Sequence, residues 1–84
     1  MNDDIIYDWY SIGYMYSCIS TGTFGSGDTE MGITGKLTEA AKLEMRRTIQ
    51  DVVAQNQNKR FEDISISLIA ITHMMKGTKD EFYI

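Results

Sequence analysis

The chain has 84 residues, of which 43% are apolar, 24% charged and none proline, with one cysteine and a formal net charge of -4. A chain this short holds one domain with one thin core, which excludes a large enzyme with a deep enclosed site. No apolar run approaches the roughly eighteen residues of a membrane span, the opening Met1-Asn2-Asp3-Asp4 lacks the positive charge that begins a secretory signal, and one Trp, five Tyr and three Phe argue against a wholly disordered chain. These features lead to the expectation of a cytoplasmic, soluble single domain over residues 1–84. Cys18 has no second cysteine to bond with, so packing alone must hold the fold, shared if need be with another copy.

From Ile5 to Ile19 the sequence is rich in β-branched and aromatic residues. Taken alternately, Tyr10, Ile12, Tyr14, Tyr16 and Cys18 share one face, which predicts a strand with an aromatic core side. Gly13 in its middle suggests a bulge or a close backbone approach. Thr21 to Glu30 gathers Gly22, Gly25 and Gly27 among hydroxyls and acids and reads as a loop or hairpin connection, with partial strand as the alternative, followed by a short strand from Met31 to Thr34.

Thr38 is a good helix N-cap, and Glu39 behind it complements the helix dipole. Ala41, Met45, Ile49, Val52 and Val53 then fall within one arc of a helical wheel, while Leu43, Arg47 and Ala54 lie opposite. The polar run Gln55 to Asn58 suits a stop. In Phe61 to Met75, Ile64, Ile66, Leu68 and Ala70 alternate with Ser65, Ser67, Ile69 and Ile71. That strand begins half-exposed and turns apolar on both faces, as expected of a central strand or an edge buried by another subunit. Residues 79–84 read as a tail, whose Asp80-Glu81-Phe82-Tyr83-Ile84 mixes acid with apolar groups suited to docking on a partner.

The expected fold is therefore α+β: a β-β-α-β order, a mainly antiparallel sheet and one amphipathic helix on one face. One helix leaves the second face uncovered. Met15, Ile19, Ile69 and Ile71 are expected there, so a homo-oligomer is expected, with Leu43, Ile69 and Ile71 as contacts.

Charge is uneven along the chain. Residues 1–35 carry Asp3, Asp4, Asp8, Asp28 and Glu30 and no Lys or Arg, whereas in residues 36–60 Lys36, Lys42, Arg46, Arg47, Lys59 and Arg60 outnumber Glu39, Glu44 and Asp51. Such a distribution steers partner choice, and it disfavours generic duplex DNA, which requires a clear basic excess. The glycine segment matches no phosphate loop, because Glu30 stands where a Walker motif ending at Gly35-Lys36 needs glycine and Leu37 where it needs Ser or Thr. A motif-free anion nest at Gly25, Ser26 and Gly27, aided by Lys36 and by Arg46 or Arg47 from a neighbour, would suit an anionic signalling nucleotide held between subunits. A lone His73 and a distant Cys18 indicate neither metal, cofactor nor catalytic set.

Short, proline-free, Met-rich acidic chains such as this resemble in composition the accessory proteins of bacteriophages. That resemblance implies a non-enzymatic inhibitor, acting in the host cytoplasm to evade host defence. On this reading the acidic aromatic stretch Asp3, Asp4, Tyr7, Asp8 and Trp9, with Asp28 and Glu30, meets a basic, nucleic-acid-handling surface of a host protein.

Overall fold

A computed structural model describes residues 5–83. Strands β1 (Tyr7–Cys18) and β2 (Phe24–Ile33), helix α1 (Glu39–Gln57), strand β3 (Ile64–Gly77) and the one-turn helix α2 (Lys79–Phe82) follow in that order, with a 3-10 turn at Phe61–Asp63. The strands form an antiparallel sheet in the order β2-β1-β3, and the chain is a small α+β domain. Of the two expected settings for the last strand, the central one is not realised. β1 occupies the middle and β3 an edge.

β1 alternates as its composition predicts. Ile12 and Cys18 are buried under α1, with Tyr10, Tyr14 and Tyr16 packed around them, and Met45, Ile49, Val53, Ala54, Ile64 and Ile66 complete the core. Complete burial of each large aliphatic side chain contributes roughly 1.5–3 kcal/mol. Helix α1 starts at Thr38, whose hydroxyl accepts from the Ala41 N–H at 3.1 Å. It ends at Asn58 in the left-handed region (φ 56°), a conformation that asparagine tolerates better than most residues. Two residues depart from the expected helical arc: Val52 is 49% exposed, whereas Ala54 is buried. The helix crosses the sheet with Met45, Ile49 and Val53 at its centre line, and Gln50 donates to the carbonyls of Phe61 (2.9 Å) and Ile64 (2.8 Å), which fixes its β3 flank.

The glycine segment is strand, not loop. Gly25, Gly27 and Gly32 stand opposite Tyr16, Tyr14 and Trp9 in the β1–β2 ladder. A β-carbon there would come within 2.6 Å of Tyr16, 2.7 Å of Tyr14 and 2.8 Å of Trp9. The glycines are therefore seats for aromatic rings lying across the neighbouring strand, and the true turn is confined to residues 19–23.

β3 carries two irregularities against β1. Ile69 is left unopposed between the pairs Gly13↔Ala70 and Tyr14↔Leu68, and Met74 between Trp9↔Met75 and Tyr10↔His73. The bulge expected near Gly13 thus occurs, with its extra residue on the partner strand. It also corrects the face assignment, because one inserted residue reverses the alternation beyond it. Ile71 joins Ile64, Ile66 and Leu68 under α1, and Ala70 moves to the far side. Of the apolar residues expected on the second face, Met15 lies there, whereas Ile71 belongs to the core side and Ile69 to the bulge.

That second face is covered at one end by the chain's own C-terminal segment. The sequence suggested a tail from residue 79, but Thr78 and Glu81 form a reciprocal capping box, with the Thr78 N–H donating to Glu81 at 2.7 Å and the Glu81 N–H to Thr78 at 3.2 Å. The Phe82 ring lies 4.1 Å from that of Trp9 at 7°, a stacked pair, and Tyr83 meets Trp9 edge-on at 5.6 Å. Trp9 donates its indole N–H to the Gly77 carbonyl at 3.0 Å. Beyond this cluster the face is hydroxyl-rich, with Ser11, Ser17, Ser65, Ser67 and Thr72 on β1 and β3.

Two outcomes follow for stability. Gly32→Ala should destabilise by about 1–3 kcal/mol in urea unfolding, because Trp9 is clamped between Gly32 and Phe82 and has no room to yield to an added methyl. Phe82→Ala should cost about 1–2 kcal/mol and shift the emission of Trp9, the sole tryptophan, to longer wavelength as its face becomes wet.

Candidate functional site

The residues singled out in the acidic N-terminal half do not form one patch. Asp3 and Asp4 lie outside the described residues. Tyr7 and Trp9 project from one sheet face and Asp8 from the other, as strand alternation requires. On that other face the Asp8 carboxylate lies 3.1 Å from His73 Nε2 and 4.0 Å from Lys76 Nζ. Asp28 and Glu30 extend along exposed β2 on the Trp9 side.

Three of these residues nevertheless converge. Tyr7, Trp9 and Glu30 line a groove of about 380 Å³ together with Glu44 from α1 and Lys79 and Tyr83 from the C-terminal segment. The groove wraps the β2 edge, because Tyr7, Trp9 and Glu30 lie on the face away from α1 whereas Glu44, Met45 and Thr48 come from the helix on the other side. Its floor is aromatic: Tyr7 and Trp9 are 5.4 Å apart and tilted at 52°. Trp9 itself is 3% exposed, so it supports this floor from below and does not offer a free stacking face, which corrects the expectation that it would lie at the surface. Tyr7 and Tyr83 supply the accessible rings, and Tyr83 is 69% exposed. Lys79 already places its ammonium 5.8 Å from the centre of the Tyr7 ring, so the aromatic wall engages a cation within the molecule itself. Two carboxylates line the groove from opposite sides of the β2 edge, Glu30 on the Trp9 face and Glu44 on α1, with Arg47 Nη1 4.0 Å from Glu44. Aromatic faces beneath carboxylates are chemistry for a cationic side chain.

Glu44 and Tyr83 were not singled out with the candidate residues. Glu44 looks like any solvated helix carboxylate, because nothing local tells which flank of α1 faces β2. Tyr83 carried a signal in the acid-apolar composition of the last residues. That composition suggests docking on a partner, whereas Phe82 and Tyr83 pack on Trp9 of their own sheet.

The anion nest expected at Gly25, Ser26 and Gly27 is not formed. These residues are extended and paired with Tyr16, Met15 and Tyr14, so their N–H groups alternate across the strand instead of converging. Lys36 lies beyond β2 and is exposed, and Arg46 and Arg47 ride on the exposed side of α1. Among the described residues no three His, Cys, Asp or Glu side chains are grouped to hold a metal ion. Leu43, Ile69 and Ile71 do come together, along a furrow on the opposite flank of α1 from the acidic groove.

A basic pair sits at the far end of the domain, where Lys59 and Arg60 border a hollow with Ser20, Glu62 and Asp63. Here Ser20 closes the first hairpin onto β3, donating from its hydroxyl (2.6 Å) and its N–H (2.8 Å) to the Asp63 carboxylate. The Ser20 hydroxyl, then its N–H, hold the Asp63 carboxyl below its usual 3.8, and Lys59 adds to the effect against a small opposing cost of burial.

No family model, curated protein or solved structure matches the chain. The fold and groove therefore define it only as a small α+β domain with an acidic aromatic groove. Among the described residues no helix is long and apolar enough to cross a membrane.

The Ser20–Asp63 contact gives a signed pH dependence. A depressed carboxylate stabilises the fold above its unfolded value and loses that contribution as pH falls through the folded one. Ser20→Ala should therefore lower Tm at pH 7, and the gap from wild type should close as pH drops below about 3.9, the ordinary aspartate range, in thermal melts followed by circular dichroism.

Proposed function

We propose that this protein is a non-enzymatic binding protein that seats a cationic side chain of a partner in the groove between Glu30 and Glu44. The observation that carries this reading is the convergence of Tyr7, Trp9 and Glu30 with Glu44 and Tyr83 around one opening. The floor is preorganised: Trp9 is stacked by Phe82, backed by Gly32 and anchored by Gly77, so little ordering entropy remains to oppose binding. Asp28, next along the exposed β2 face, extends the acidic field beyond the rim and steers approach.

The partner suited to such a field is a protein with an Arg- or Lys-rich surface of the kind that handles nucleic acid, and occupation would block that surface. Carboxylates here stand in for phosphates. This is the role that the phage-like composition implies, an inhibitor acting on a host factor in the host cytoplasm.

Binding of an arginine-rich peptide, followed by Trp9 emission, tests the reading. Glu30→Lys combined with Glu44→Lys should weaken affinity at least tenfold, about 1.4 kcal/mol or more, and the wild-type affinity should fall with added salt. Unchanged affinity in the double variant would remove the groove as the site.

A further inference from the structure

We propose that β3 pairs antiparallel with β3 of a second copy of this chain about a two-fold axis, joining two three-stranded sheets into one of six strands. The inference rests on the flank of α1 opposite the acidic groove and is independent of what that groove binds.

The two sheet edges differ. β2 carries Asp28 and Glu30 near its middle, so two β2 strands brought together about their midpoints would gather four carboxylates, a device that keeps an edge unpaired. β3 has no carboxylate, Lys or Arg from Ile64 to Met75. It presents fourteen residues of strand with β1 on one side only. Its bulges at Ile69 and Met74 break the flat ladder that any extended peptide would need, which guards this edge against indiscriminate pairing.

Charge identifies that strand. β3 is preceded by Glu62 and Asp63 and closes with Lys76, with Lys79 following on α2. Antiparallel pairing of the strand with itself brings the basic end of each copy to the acidic start of the other, at both ends of the strand simultaneously. A parallel copy would place like charges together at both ends. The strand is therefore self-complementary in the sense a two-fold contact requires.

Packing points to the same copy. Leu37, Leu43, Leu68, Ile69 and Ile71 line a furrow of about 570 Å³ between α1 and β3, in which Leu43 is 44% and Ile69 61% exposed. A two-fold perpendicular to the sheet puts both helices on one face, so the two furrows meet across the axis. Each copy's Leu43 and Ile69 then close the furrow of the other, with the Glu39–Lys42 pair and Arg46 left at the solvated rim.

Sedimentation of the full chain across micromolar concentrations is the test. The expected wild-type mass rises to twice 9.6 kDa, while Ile69→Lys and, separately, Leu43→Glu, both at exposed positions, give monomers with unchanged Trp9 emission. Glu62→Lys, at an exposed position, should weaken the dimer at least about tenfold, and adding Lys76→Glu should restore it. A wild-type chain that stays at 9.6 kDa throughout overturns the proposal. So does a dimer that survives both Ile69→Lys and Leu43→Glu, or a charge exchange that fails to restore pairing.

Discussion

The structure depends on the fit of β1's rings onto β2's glycines. Tyr16, Tyr14 and Trp9 lie over Gly25, Gly27 and Gly32, where even a methyl group would approach the rings to 2.6–2.8 Å. Glycine within a strand ordinarily weakens it, through lost backbone entropy and missing contacts. Here the cost is offset by the ring area that each vacancy admits. The same contacts pin the register, because a slip of one residue would set every ring against a side chain. Tyr14 and Tyr16 serve the core under α1, and Trp9 serves the opposite face, so one ladder organises both sides of the sheet.

From that ladder the two flanks of α1 acquire different characters. On the β2 side, Trp9 over Gly32 leaves room for Tyr7, Tyr83, Glu30 and Glu44 to surround an acidic opening. On the β3 side, the Ile69 bulge turns an apolar side chain outward beside Leu43 and leaves a furrow without carboxylates on its strand. A domain this small lacks the volume for an enclosed site. Its two proposed contacts lie at surfaces, each where an irregularity of the sheet spaces it from the helix.

Much of the site was legible because it is local. The pairing of Tyr7 with Trp9 follows from strand alternation, and the acidity of Glu30 from composition. Glu44 and Tyr83 were not legible as partners of these residues. They reach the groove from a helix and from a C-terminal turn, and their approach is set by where α1 crosses the sheet and by Phe82 seeking the Trp9 ring. Asp8 shows the opposite failure: neighbouring in sequence to Tyr7 and Trp9, it projects from the other face and meets His73 and Lys76. Glycine's turn preference, a property of the isolated chain, favours a loop for residues 21–30 with strand only as the alternative, whereas its use here is a property of the rings opposite.

By itself the sequence determined the α+β class, a first strand within Ile5–Ile19 with its aromatic core face, the Thr38 cap and the Met45, Ile49, Val53 stripe of α1. These are set by backbone preference and by the spacing of apolar residues, both short-range. Tertiary structure alone decided that β1 is central, that Gly25 and Gly27 belong to a strand, that Ile71 faces the core while Ile69 does not, and that Phe82 and Tyr83 cap Trp9. Each of these depends on which side chain lies across a ladder or beneath a helix. A bulge of one residue, invisible to alternation read along a single strand, is enough to reverse it.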